Sequence, residues 1–181
     1  MTAIDELSAI MDDYGGRNYG EDVTIAEHVL LTAAAAERQG GTDTLIAACL
    51  MHDVGHWLDE PDDAYGLHDH GDLGGDWVAA RFGEAVAEPV RLHVDAKRFL
   101  CARDPRYHDR LSEASQYTLT MQGGPMSADE ADRFEARSYA DDAVRLRRLE
   151  DDHGKLTGVD VPPLSQFRPL LDRLETRVRR P

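Results

Sequence analysis

Leu45-Ile46-Ala47-Ala48-Cys49-Leu50-Met51-His52-Asp53-Val54-Gly55-His56 is the stretch on which the reading of this chain turns. Leu45 to Met51 run without a polar break, and Thr42 or Asp43 can cap a helix that carries them to about Leu58. A helix apolar on all sides belongs in the interior. His52 and Asp53 stand at the end of that buried run. An unpaired carboxylate or imidazole there costs on the order of several kcal/mol, so the fold must supply a partner. Adjacent side chains on a helix point about 100° apart. One cation can still be reached by both, and a bridging carboxylate can serve a second.

Working outward, the segment Val23 to Gln39 is apolar around most of its circumference and is also a central helix, ended by Gly40-Gly41. On the other side, Asp59 to Asp69 reads as an acidic loop. Helices are expected over Leu73–Phe82 and Ala85–Leu100. Asp104-Pro105 marks a turn. A further helix is expected over Tyr107–Met121, broken by Gly123-Gly124-Pro125. Ser127-Ala128-Asp129-Glu130 is a capping box that opens the next. Ala140–Asp152 and, beyond Pro162-Pro163, Leu164–Val178 complete the series. No segment alternates as a strand should, so the expected class is all-α, in one domain spanning residues 1–181.

The 181 residues carry a formal net charge of -15. Such a surface repels phosphate backbones and argues against nucleic acid as a partner. A metal centre with a few basic side chains can still reverse the sign locally for a small anion. No apolar run is long enough for a bilayer. Met1 to Tyr14 does not resemble a signal peptide, so the cytoplasm is the expected compartment. Cys49 and Cys101 lack metal-site spacing and form no disulfide framework.

Further candidate ligands recur along the chain: His28 in the first buried helix, His70 ahead of Leu73-Gly74-Gly75, His93 in the helix after it, and Asp151 at the end of Ala140–Asp152. Four imidazoles and two carboxylates without a thiolate suit iron, manganese or zinc. His68, His108 and His153 are assigned to surface or structural roles.

The chain resembles the HD-domain superfamily, and more closely the phosphonate-degradation HD-domain oxygenases. Myo-inositol oxygenase is a more distant relative. The resemblance runs from about Tyr19 to Leu170. It is carried by Gly20-Glu21-Asp22-Val23-Thr24 leading to Glu27-His28, by Leu50-Met51-His52-Asp53-Val54-Gly55-His56, by His70 with Leu73-Gly74, by Arg91 to Cys101, by Met121 to Ser127, and by Val144 to Asp152. It implies an HD-type helical bundle with the metal site between its central helices. It implies two iron ions in a mixed-valent Fe(II)/Fe(III) state, held by His28, His52, Asp53, His70, His93 and Asp151, with Asp53 bridging. The spacing from Arg148 favours Asp151 over Asp152.

The same resemblance makes Lys97, Ser115 and Arg148 phosphonate-binding and His56 a substrate contact. It takes Glu21 to the substrate's amino end, and gives His56, Lys97 and Glu21 catalytic roles. Where members of the family often have a gating tyrosine, this chain has Asn18, and Tyr19 is the nearest candidate. The implied activity is oxidative cleavage by dioxygen of the C–P bond of a 1-hydroxyphosphonate such as 2-amino-1-hydroxyethylphosphonate, releasing phosphate. A metal-dependent phosphohydrolase acting on a phosphate monoester or nucleotide is the alternative that the His52-Asp53 pair alone would support. A non-catalytic metal-binding protein is the third.

Overall fold

The computed structural model describes residues 2–18, 20–58 and 69–178, with the side chains of 176–178 left aside. Tyr19, His68 and nearly all of the acidic loop expected over Asp59–Asp69 lie outside the described residues. Within them the chain is helical and has no strand.

Ten α-helices follow one another among the described residues: α1 Ala3–Tyr14, α2 Ile25–Arg38, α3 Asp43–Met51, α4 His70–Phe82, α5 Glu84–Arg103, α6 Pro105–His108, α7 Glu113–Met121, α8 Ala128–Glu135, α9 Ala140–His153 and α10 Arg168–Val178. Their starts are written in side chains. Thr24 accepts from the Glu27 amide while the Glu27 carboxylate accepts from the Thr24 amide, a capping box that fixes where α2 begins. Ser127 and Glu130 do the same for α8, and Thr42 caps α3.

Three of the differences from the sequence reading bear on the site or the core. The helix expected to reach Leu58 ends at Met51, and Val54–Trp57 continues as a 3-10 turn. That break turns His56 back toward the site. The helix expected over Tyr107–Met121 is two helices, because Ser112 caps a new start by accepting from the Ser115 amide at 3.2 Å. α1 was not anticipated. Its Ile4 and Leu7 are buried against α10, and the Glu175 carboxylate accepts from the Ala3 amide at 3.2 Å.

The apolar interior divides into two clusters. The larger gathers α1 to α4, the first half of α5, Leu146 and Leu149 of α9, and α10. The smaller gathers the second half of α5 with Tyr107, Leu111, Leu119, α8 and the start of α9. α5 and α9 cross from one cluster to the other and pack on each other. The polar residues they bury at that crossing, His93 and Lys97 from α5 and Arg147 and Glu150 from α9, form the floor of the site.

Candidate metal and anion site

Four histidines meet around one aspartate. The His28 and His52 Nε2 atoms are 3.1 Å apart, and so are those of His70 and His93. The Asp53 carboxylate lies between the two pairs. Its Oδ2 is 3.6 Å from His28 Nε2 and 3.4 Å from His52 Nε2. Its Oδ1 is 3.8 Å from His70 Nε2 and 3.6 Å from His93 Nε2. His28, His52 and Asp53 thus form one triad of donors, and Asp53, His70 and His93 a second.

The backbone fixes what these rings present. His28 Nδ1 lies 3.0 Å from the Gly154 carbonyl, His52 Nδ1 2.8 Å from that of Cys49, and His93 Nδ1 2.6 Å from that of Val90. A carbonyl only accepts, so each Nδ1 carries the proton and each Nε2 turns a lone pair into the site. With both rings neutral, His28 and His52 turn two lone pairs toward each other at 3.1 Å. That arrangement calls for a cation. Two ligand atoms, each about 2.1 Å from one ion and at right angles, stand about 3 Å apart, so the residues present fit a metal. The site binds metal.

The charge states agree. Burial, with His52 beside it, pushes His28 down, and burial with His70 and His52 pushes His93 well below the usual imidazole range. Burial alone would raise Asp53, but His52, His56, His28 and His70 outweigh it and hold the carboxyl well below the usual range. Neutral His28 and His93 rings near an ionised Asp53 carboxylate are the ligand forms a metal requires.

Glycines make the approach of these elements possible. A Cβ at Gly55 would collide with the His70 backbone, and one at Gly154 would come within 2.8 Å of the His28 ring. Gly74 sits against Gly55, as the small residues after His70 suggest.

The acidic member from α9 is the main correction to the sequence reading. Asp151 does not face the histidines. Its carboxylate accepts from Arg147 and, at 2.5 Å, from the Tyr107 hydroxyl. Glu150 faces them instead, with Oε1 3.8 Å from His28 Nε2 and Oε2 3.8 Å from His52 Nε2. Its buried Oε2 has no hydrogen-bond partner among the described residues. The same turn corrects the anion binder. Arg148 is exposed, with its guanidinium over the outer Tyr107 ring, while Arg147 is 4% exposed and lines the pocket. The reason is helical register: Ala143, Arg147, Glu150 and Gly154 share one face, and Arg148 and Asp152 lie off it.

The pocket above the histidines has a volume of about 90 Å³. Lys97, Ser115, Glu21 and His56 line it, as expected, and the His56 ring stacks on His70 at 3.9 Å. Lys97 is buried, donates to Thr118 Oγ1 at 2.8 Å, and is pushed down to about 7 by burial and then by Arg147. Arg147 donates to Glu150 Oε1 at 2.7 Å, and burial is outweighed by Asp151 and Glu150, which raise it well above its ordinary value.

Sequence reasoning missed Glu150, Arg147, Lys155, Ser112 and Tyr107. The cap signal at Ser112 and the buried face of α9 would have found three of them, Ser112, Arg147 and Glu150.

No family model matches the chain. Three curated proteins are similar to it. A 1-hydroxy-2-(trimethylamino)ethyl phosphonate dioxygenase (glycine-betaine-forming) of Leisingera caerulea is 36% identical over 180 residues, 94% of this chain and 89% of that protein. A hydroxymethylphosphonate dioxygenase of Gimesia maris is 40% identical over 169 residues, 91% of this chain and 84% of that one. An uncharacterized protein of Acanthamoeba polyphaga mimivirus is 31% identical, covering 93% of this chain and 80% of its own. The chain belongs to the family of hydroxyphosphonate dioxygenases, and it is an oxidoreductase enzyme. No helix of the described residues is long and apolar enough to cross a membrane.

Proposed function

We propose that this protein, one HD-type domain over residues 1–181, uses two iron ions and dioxygen to cleave the C–P bond of a small 1-hydroxyphosphonate and release phosphate. The observation that carries the reading is Asp53, whose two oxygens divide between two pairs of facing histidine nitrogens beside Lys97 and Arg147. His28, His52 and Glu150, with Asp53 Oδ2, would hold one ion. His70 and His93, with Asp53 Oδ1, would hold the other.

Iron, when bound, supplies the redox chemistry for dioxygen. The chain's own residues do the rest. Lys97 and Arg147 neutralise the phosphonate oxygens in a buried setting, and Ser115 adds a neutral hydrogen bond. Asp151 and the Tyr107 hydroxyl hold the Arg147 guanidinium in place, so it is aimed before substrate arrives. His56, stacked on His70, forms the wall nearest the second histidine pair.

For hydroxymethylphosphonate, atoms and charge balance as substrate dianion plus O2 giving formate and dihydrogen phosphate. The test is phosphate release by the iron-loaded protein from hydroxymethylphosphonate and 2-amino-1-hydroxyethylphosphonate, with and without oxygen. Release only in oxygen is expected. Equal release without oxygen, or hydrolysis of a phosphate monoester in its place, would replace the reading with a metal-dependent phosphohydrolase.

A further inference from the structure

The chain has two lysines and eighteen arginines, and both lysines, Lys97 and Lys155, line this one pocket. Elsewhere the side chain of this pair is always arginine, and in the pocket Arg147 is joined by both ammonium groups. An ammonium is a compact charge with three donors, where a guanidinium is a broad planar fork.

The surroundings of Lys155 use that geometry fully. Its Nζ lies 2.9 Å from the Glu21 carboxylate, 2.9 Å from Ser112 Oγ and 2.7 Å from Ser115 Oγ. Three donors meet three acceptors within 3 Å, and the Asp151 carboxylate stands 3.7 Å away. The Ser112 hydroxyl in turn donates to Glu21 at 2.6 Å, and Ser112 is pinned as the cap of α7. The network joins residues from three separate segments: Glu21 ahead of α2, the start of α7, and Lys155 two residues beyond α9. Both charged ends are largely covered, with side chains 17% and 22% exposed.

The consequence bears on the substrate's far end. The family resemblance takes Glu21 to a cationic amine. In this chain the Glu21 charge already has an internal cation. The other acids lining the pocket sit deeper, Asp53 among the histidines and Glu150 with Oε1 on Arg147. A substrate ammonium would have to share Glu21 with Lys155 or expel it. The cavity, at about 90 Å³, is smaller than the roughly 150 Å³ space that holds a benzene ring.

Resting on the reading of the previous section, we infer that Lys155 is a specificity-determining residue. By neutralising Glu21 it sets the pocket to accept a short 1-hydroxyphosphonate with an uncharged substituent and to reject one with an ammonium or trimethylammonium group.

The test compares kcat/KM, and anaerobic binding by calorimetry, for hydroxymethylphosphonate and 2-amino-1-hydroxyethylphosphonate in the iron-loaded protein. The unmodified protein is expected to favour the uncharged substrate by at least about tenfold. Lys155→Met, which frees Glu21, is expected to shrink that ratio about tenfold or invert it. Lys155→Arg is expected to keep it, which separates loss of charge from loss of fold. Equal or better turnover of the amine by the unmodified protein, or an unchanged ratio in Lys155→Met, overturns the inference and leaves the dioxygenase reading standing. Phosphate released from neither substrate overturns the dioxygenase reading and this inference with it.

Discussion

The two halves of the pocket are built by different means. In the histidine half, short rings are held by backbone carbonyls of Gly154, Cys49 and Val90, and glycines bring the elements together. In the anion half, long side chains hold one another: Tyr107 and Arg147 with Asp151, Arg147 with Glu150, and Lys155 with Glu21 and the two serines. The first kind of site is rigid because the backbone is. The second is rigid only while every charge has its partner. Loss of a group should therefore be felt as lost metal in one half and as lost stability or selectivity in the other.

The largest effect is expected in the histidine half. His52→Ala removes a ligand whose Nε2 faces His28, and phosphate release should fall by about 1000-fold or more, beyond the roughly 10–100-fold that follows loss of a ligand's supporting partner. Metal content measured on the same sample should fall with it, while the helical spectrum stays. Retained activity at full metal loading would remove His52 from the site.

Next in size is a pair of neighbours in the anion half. Arg147→Met leaves Glu150 and Asp151 buried without their cation and should cost about 3–5 kcal/mol in urea unfolding. Arg148→Met, one residue on and exposed, should stay within about 0.5 kcal/mol. If Arg148→Met proves the damaging one, the register of α9 is wrong and Asp151 returns as the ligand.

Gly154→Ala probes the join between the halves. Its methyl group would meet the His28 ring and take away room for the carbonyl that orients it. Metal affinity should weaken about 10–100-fold, read by competition with a chelator.

The smallest effect is a pH dependence from Lys97. Burial lowers it to about 7 from 10.5, so it penalises the fold fully below pH 7. That penalty fades as pH rises toward 10.5, because the unfolded chain then holds the proton more tightly. The proposed phosphonate contact needs the charged form and so runs the other way. kcat/KM should decline above pH 7 by up to about tenfold per unit, and Lys97→Met should flatten that limb from a lower starting point. A flat profile in the unmodified protein would exclude Lys97 as the titrating group.

The contrast between the halves also explains what the sequence made legible. His28 and His52 lie in or at the end of apolar helices, where burial forces a partner on a ring, while His70 and His93 stand out only as members of an ordered set with them and through the family resemblance. The all-α class followed from the same helical patterning. The α9 residues were harder. Arg147 with Glu150 and Arg148 with Asp151 have the same spacing, so spacing could not choose between them. The choice lies in the burial phase of the helix, with Ala143 and Leu146 on the inner side. Lys155 was invisible for another reason: its partners Glu21 and Ser112 are 134 and 43 positions away, and only the packed chain brings them together. α1 carried a signal that was passed over, since Thr2 and Asp5 form a capping box and Ile4 and Leu7 share a face.

On the proposed reading Asp53 joins two donor sets into a two-metal site. Iron stoichiometry is the measurement that decides it, by anaerobic loading followed by removal of free metal and quantification per chain. Two iron ions per chain are expected, and fewer in Asp53→Asn with the fold retained. One ion per chain at saturation, or two in Asp53→Asn held as tightly as in the unmodified protein, would contradict it.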